Sequence, residues 1–144
     1  MNKVESAVSC FKEGFSCSQA VFSAYSGLFG LDRETSLRLA QAFGGGMARM
    51  GETCGAVSGA FMLIGLKYGK IKADDEQAKE KTYEIVRKFV DAFKSLNGSI
   101  LCRDLLGCDI STSEGMKQAK EKELFETLCP KFVQNAAEII EKIL

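Results

Sequence analysis

The sequence predicts an all-α protein, a single-domain bundle of about six to eight helices over residues 1–144. Proline occurs once, at Pro130, and β-branched residues never gather in alternating runs, so no segment is predicted to be a strand. Apolar residues instead recur at three- and four-residue intervals, which is the spacing of one helix face. A length of 144 residues with 46% apolar and 26% charged residues suits one globular domain.

Three helices are predicted in the first 45 residues, each bounded by residues that favour helix ends. The first covers Lys3–Lys12 and ends at Gly14. Ser16 is the expected N-cap of the second, which runs to about residue 30, and Asp32 is the expected N-cap of the third. The triplet Gly44-Gly45-Gly46 ends that third helix, because glycine disfavours a regular helix interior.

The fourth predicted helix is nearly apolar on all sides, which favours a central, buried position. Thr53 is its expected N-cap, and Gly69 is expected to stop it. Gly55, Ser58 and Gly59 have low helix propensity, but their small side chains would let another backbone come close.

The C-terminal half is predicted to contain the longest helix, two short helices and a final amphipathic one. Asp74 is the expected N-cap of the longest helix, which closes at Asn97-Gly98. Its expected apolar face consists of Tyr83, Val86, Phe89, Val90 and Phe93. Short helices are expected at Cys102–Leu106 and at residues 113–122, and the last helix is expected to begin at Pro130.

The composition excludes several classes of function. Nineteen basic residues balance nineteen acidic ones, so the chain offers no net field for nucleic acid or an anionic membrane. The absence of histidine rules out nucleophile–histidine dyads and triads and removes the usual haem ligand. The longest apolar run, residues 60–64, is far shorter than the about 20 residues of a membrane span, and no signal peptide is predicted. We therefore expect a cytoplasmic protein without membrane insertion or nucleic-acid binding.

The six cysteines are the side chains of this chain that most clearly indicate a chemical function. Four of them lie in or beside the first turn of a predicted helix: Cys17, Cys54, Cys102 and Cys129. A helix N-terminus presents free N–H groups and partial positive charge, which favour a thiolate over a thiol. We expect these four cysteines to converge in one pocket for anionic sulfur. No Cys-x-x-Cys is present, so tertiary structure must assemble the site.

The other two cysteines fit simple packing better. Cys10 lies inside the first predicted helix, and Cys108 lies in the turn Gly107-Cys108-Asp109. A local disulfide between Cys10 and Cys17 is not expected, since in a continuous helix they would lie about 10 Å apart along the axis. A disulfide needs Cα atoms within roughly 4.4–6.8 Å.

The residues around Cys54 resemble the central motif of a prokaryotic family described as redox-active, which is named for its cysteine pattern C_GCAxxG_C_C. Residues 54–59 are CGAVSG, with Cys-Gly where the pattern has Gly-Cys. Cys17, Cys102 and Cys129 correspond to the other cysteines of the pattern, so the resemblance covers essentially the whole chain. It implies a redox function that depends on these four cysteines.

The resemblance also bears on cofactors. A related domain is similar to part of the split-Soret cytochromes c, in which cysteines of this kind are associated with an iron–sulfur site. The haem part of that likeness does not carry over, because this chain has neither histidine nor a Cys-x-x-Cys-His sequence. No haem is therefore expected.

Three functions remain open from the sequence. In the first, Cys54 is an attacking thiolate activated by the N–H groups of Gly55 and Ala56, and one of the other three cysteines of the pattern resolves the mixed disulfide. Glu52 opposes the Cys54 anion, and Arg49 is expected to offset it. In the second, four thiolates bind zinc or an iron–sulfur cluster: Cys17, Cys54, Cys102 and Cys129.

The third function is that of a helical interaction protein whose cysteines only pack. The sequence does not identify the redox partner or the substrate, and it leaves open whether the chain forms a homo-oligomer. A redox-active cysteine site ranks first. Free thiols and a bound centre both stay open as its form, because both draw on the same four residues.

Overall fold

Eight helices of five or more residues build the fold in the computed structural model, which describes residues 1–144. Their bounds are α1 Lys3–Lys12, α2 Cys17–Ser26, α3 Arg33–Gln41, α4 Gly55–Tyr68, α5 Glu76–Asn97, α6 Cys102–Leu106, α7 Ser113–Glu121 and α8 Cys129–Ile143. Single helical turns add Gly27–Phe29, Gly44–Met47 and Leu124–Thr127. The structure is 73% helical without strands, which confirms the predicted class and number of helices.

Helices α2 and α4 form the centre of the bundle. α2 packs against α1, α3, α4 and α8, while α5 and α8 cover the other side of α4. Polar groups tie α2 to its neighbours: the Ser18 hydroxyl donates to the Ala40 carbonyl at 2.7 Å, and the Tyr25 hydroxyl donates to the Ala137 carbonyl at 3.2 Å. α4 is buried along most of its length, as its apolar sequence predicts.

The close approach of α2 and α4 depends on two glycines. A Cβ added to Gly55 would lie 2.9 Å from the Ser18 nitrogen, and one added to Gly59 would lie 3.0 Å from the Ser18 carbonyl oxygen. Real Cβ atoms are rarely this close to backbone, so the two helices touch only because these positions lack a side chain. The prediction that small residues here admit another backbone is confirmed.

Two of the predicted N-caps are confirmed and two are wrong. The Ser16 hydroxyl accepts from the Gln19 nitrogen in a reciprocal capping box, and the Asp32 carboxylate accepts from the Thr35 nitrogen at 2.6 Å. Asp75 caps α5 instead of Asp74, because its carboxylate is the one that reaches the Ala78 nitrogen. Cys54 stands in the N-cap position of α4 in place of Thr53.

Thr53 is not a cap because it pairs with another segment. Thr53 and Leu101 form an isolated antiparallel bridge, here called the Thr53–Leu101 bridge. On its two sides the Cys54 nitrogen donates to the Ile100 carbonyl at 2.7 Å, and the Cys102 nitrogen donates to the Glu52 carbonyl at 2.7 Å. The extended backbone at Thr53 delays the start of the helix until after Cys54.

Two further expectations differ in detail. α8 begins at Cys129, one residue before Pro130. On α5 the buried residues are Ile85, Phe89 and Phe93, whereas Tyr83 is 51% exposed. The buried face of α5 therefore begins at Ile85 and does not include Tyr83, which was expected to lie on it.

A left-handed turn crosses one side of the bundle at residues 45–49. All five residues there have φ between 51° and 68°, and three of them, Met47, Ala48 and Arg49, are not glycine. This conformation costs about 1–2 kcal/mol for each residue that bears a Cβ. At Gly46 there is also no room for a side chain, since a Cβ there would lie 2.7 Å from the Cβ of Cys102.

None of the helices is both long enough and apolar enough to span a membrane.

Candidate functional site

Four cysteines line one cavity of about 1190 Å³: Cys17, Cys54, Cys102 and Cys129. Each stands at the beginning of a helix. Cys54 is the N-cap of α4, and the others are the first residues of α2, α6 and α8. The structure thus brings together the four residues that the sequence singled out, although they are spread over more than a hundred positions.

Cys17 and Cys54 lie side by side where α2 and α4 begin, both in the lining of the cavity. The thiols of Cys54 and Cys129 are close enough to Cys17 to raise its pKa. The glycine after Cys54 makes this approach feasible, because a Cβ on Gly55 would stand 3.3 Å from the Cβ of Cys17. The Cys-Gly order therefore places sulfur at the N-cap and leaves the crowded next position without a side chain.

Cys54 has a pKa below that of an ordinary thiol. The largest cause is a hydrogen bond from the Cys17 thiol, which stabilises the Cys54 thiolate; burial opposes it, and the backbone N–H groups of Ala56 and Val57 add to it. From the sequence, the N–H groups of Gly55 and Ala56 were predicted in this role. The prediction is right for Ala56, and Val57 takes the place of Gly55. The neighbouring thiol matters more than the helix N-terminus.

Cys17 has a pKa well above the ordinary value. Hydrogen bonding with Cys129 and then with Cys54 is the main cause, followed by burial and by the negative charge that these neighbours would carry. The opposite shifts of Cys17 and Cys54 have a simple meaning. When the pair holds one proton, the proton stays on Cys17 and the charge on Cys54.

Cys102 is a protonated thiol at neutral pH. Burial, then the charges of Cys54 and Cys129, and then those of Cys108 and Asp109, raise its pKa to about 12. The Thr53–Leu101 bridge holds its backbone next to that of Cys54. Cys102 therefore contributes a neutral sulfur to the cavity wall.

Glu52, which the sequence placed against a Cys54 anion, is neutralised by a residue that sequence reasoning missed. The Arg103 guanidinium pairs with the Glu52 carboxylate at 2.9 Å. Arg49, the expected partner, makes no ion pair and lines the cavity instead. Only the position of Arg103 next to Cys102 in the sequence could have indicated it.

The remaining two cysteines stand apart from the contact of Cys17 and Cys54. Cys10 packs in the core, with its sulfur 3.9 Å from the Ser23 hydroxyl oxygen. Cys108 is half-buried just after α6 and near Cys102, as its effect on the pKa of that thiol shows. All six cysteines are free thiols.

The four cysteine sulfurs of the cavity do not point to a common position, as the ligands of a metal ion would. No three Cys, Asp or Glu side chains are grouped in an arrangement that could hold a metal ion. Sulfur from the four cysteines would suit zinc or an iron–sulfur cluster chemically, but the four side chains would have to turn toward a common point.

Comparison with known proteins gives one result. The family model described as "Putative redox-active protein (C_GCAxxG_C_C)" matches residues 15–143. No curated protein and no solved structure matches the chain significantly. The matched residues include all four cysteines of the cavity and nearly the full length, and the chain therefore belongs to the C_GCAxxG_C_C family.

Proposed function

We propose that this protein is a thiol–disulfide oxidoreductase in which Cys54 attacks and Cys17 resolves. The observation that carries the proposal is the placement of these two cysteines side by side at the beginnings of α2 and α4 on one cavity, together with the opposite directions of their pKa shifts. A thiolate is the nucleophile in disulfide exchange, and a protonated neighbour supplies the second sulfur.

The reaction balances with a substrate disulfide as oxidant. The Cys54 thiolate attacks one sulfur of the substrate, whose S–S bond breaks and releases one thiolate. Cys17 then attacks the Cys54 sulfur, giving a Cys17–Cys54 disulfide, and its proton leaves with the second substrate thiolate. Two protein thiols are oxidised, and one substrate disulfide is reduced to two thiols.

Cys17 suits the resolving step because the first step changes its surroundings. Once Cys54 is in a mixed disulfide, it can no longer carry the negative charge that helps to raise the pKa of Cys17. Deprotonation of Cys17 therefore becomes easier after Cys54 has reacted. Reaction of Cys54 removes two causes of the shift at Cys17, a hydrogen bond and a charge, but only the charge at Cys102. Burial persists at both residues, and Cys129 still raises the pKa of Cys17.

Mapping of the oxidised protein tests this assignment. After the reduced protein reacts with one equivalent of a disulfide, is quenched in acid and is alkylated, we expect peptide mass spectrometry to find a Cys17–Cys54 bond. Cys17→Ser should trap the mixed disulfide on Cys54, whereas the matched variant Cys129→Ser should still close the bond. Disulfides that lack Cys54 would contradict the proposal.

A four-thiolate metal or cluster site is the second candidate, favoured by the presence of all four cysteines around one cavity. Its ligands would be Cys17, Cys54, Cys102 and Cys129, and a cluster there would supply one-electron transfer. Because the side chains are not grouped for a metal, we expect anaerobically purified protein to be colourless and to contain no stoichiometric zinc or iron. Stoichiometric metal that is lost in Cys54→Ser would replace the dithiol proposal with this one.

A further inference from the structure

The cavity beside the cysteines is larger than a dithiol needs. Its volume is about 1190 Å³, at or above the roughly 300–1,000 Å³ of typical small-molecule pockets. Four aromatic rings are part of its lining: Phe11, Phe15, Phe125 and Phe132. Apolar and aromatic side chains bind the body of a ligand, so the cavity suits a molecule with a substantial apolar part.

The cavity lining carries an excess of positive charge, although the net charge of the whole chain is zero. Three cations line it, Lys12, Arg49 and Lys120, against a single carboxylate, that of Glu126. None of the three cations pairs with a carboxylate within the protein, whereas Glu52 is neutralised by Arg103. A cleft with excess charge of one sign draws in ligands of the other sign.

Access to the attacking sulfur is narrow. Cys54 is only 5% exposed, and Cys129 and Cys102 are only 7% and 9% exposed. A disulfide on a folded protein surface would have to enter the cavity to reach Cys54. A small molecule matches the volume of this cavity better than a protein surface does.

We infer that the substrate of the Cys54–Cys17 pair is a low-molecular-weight disulfide with anionic groups on a largely apolar body; this rests on the proposed function. The apolar body packs against the phenylalanines, the anionic groups face Arg49 and Lys120, and the S–S bond lies at Cys54. For each substrate molecule that reacts with the reduced protein, the substrate S–S bond breaks, the Cys17–Cys54 bond forms and two thiols are released.

A series of small disulfides that differ in charge tests the inference. The probes are 3,3′-dithiodipropionate, a dianion; bis(2-hydroxyethyl) disulfide, which is neutral; and cystamine, a dication. Each rate with the reduced protein is divided by the rate with free dithiothreitol at the same pH, which removes differences in intrinsic reactivity. We expect the dianion to be fastest and the dication slowest, with the differences shrinking as salt is added.

Charge-removing variants give the matched comparison. Arg49→Gln combined with Lys120→Gln should slow the dianion by about threefold to tenfold and leave the neutral disulfide nearly unchanged. Lys81→Gln removes a positive charge from α5, outside the cavity lining, and should change neither rate. 5,5′-Dithiobis(2-nitrobenzoate), an aromatic dianion, should react faster still after the same normalisation.

Failure of the inference and failure of the proposed function are separable. Equal normalised rates for all three aliphatic probes, or equal slowing of all three in the double variant, would overturn the anionic substrate while leaving the dithiol chemistry intact. Faster reduction of a disulfide-bonded protein than of any small probe would do the same. If no disulfide oxidises Cys54, the proposed function itself is wrong.

Discussion

Replacing Cys54 by serine should lower the rate of disulfide reduction at neutral pH by about 100-fold or more. Cys54 has a lowered pKa, whereas the pKa values of its neighbours Cys17 and Cys102 are raised. Removing its sulfur takes away part of what raises the pKa of both neighbours. Cys129 and burial still act on Cys17, and burial still acts on Cys102, so both thiols stay protonated at pH 7. Stopped-flow measurement with a neutral small disulfide gives the rate directly.

The pH dependence of alkylation identifies the thiolate in the same experiment. In the wild-type protein the rate with iodoacetamide should rise with pH as Cys54 loses its proton, with a midpoint below that of an ordinary thiol. In Cys54→Ser that low-pH component should vanish.

Controls for this substitution are available in the chain. Serine is a better N-cap than cysteine, so Cys54→Ser should keep the start of α4 and the thermal stability of the protein. Cys108→Ser removes a half-buried thiol outside the cavity lining and should retain the wild-type rate. Wild-type kinetics in Cys54→Ser would instead support the hypothesis that these cysteines only pack.

Gly55→Ala should destabilise the protein by about 1–3 kcal/mol, the usual cost of overpacking a tight contact. The new methyl group would stand 2.9 Å from the Ser18 nitrogen and 3.2 Å from the Phe43 carbonyl oxygen, both of them backbone atoms. Relief requires the beginnings of α2 and α4 to separate. Separation weakens the contact of Cys17 with Cys54, so the pKa of Cys54 should rise along with the loss of stability.

Gly65→Ala is the matched control for that substitution, because it lies in the same helix with nothing near its added Cβ. Alanine is favoured over glycine inside a helix, so this variant should gain about 0.5–1 kcal/mol and keep the wild-type alkylation profile. Urea unfolding measures both stabilities. If both variants change the free energy of unfolding in the same direction, the close packing of α2 on α4 at Gly55 is not what keeps Cys17 next to Cys54.

Local signals predicted much of the fold. Ser16 and Asp32 cap the helices that they were expected to cap, since a cap bonds within three residues of itself. The position of four cysteines at helix beginnings was likewise a local property. Their meeting in one cavity follows once those helices pack with their N-termini together.

What sequence reasoning missed depends on distant partners. Thr53 has the side chain of a good N-cap, but its pairing with Leu101 overrides that preference. The bond of Arg103 to Glu52 joins residues 51 positions apart. The left-handed turn at residues 45–49 includes three residues that disfavour it, and backbone hydrogen bonds hold it, among them the one from the Glu52 nitrogen to the Gly46 carbonyl at 2.9 Å.

The Thr53–Leu101 bridge has a consequence for the proposed dithiol exchange, because it holds the backbone beside two of the cavity cysteines. The main chain of Cys54 and that of Cys102 are each fixed by a short hydrogen bond across this bridge. Rotation about the Cα–Cβ bond of Cys54 is then the main freedom left to its sulfur. Under the proposed function we therefore expect Cys54 to react by turning one side chain on a backbone that stays in place, without refolding of the helices.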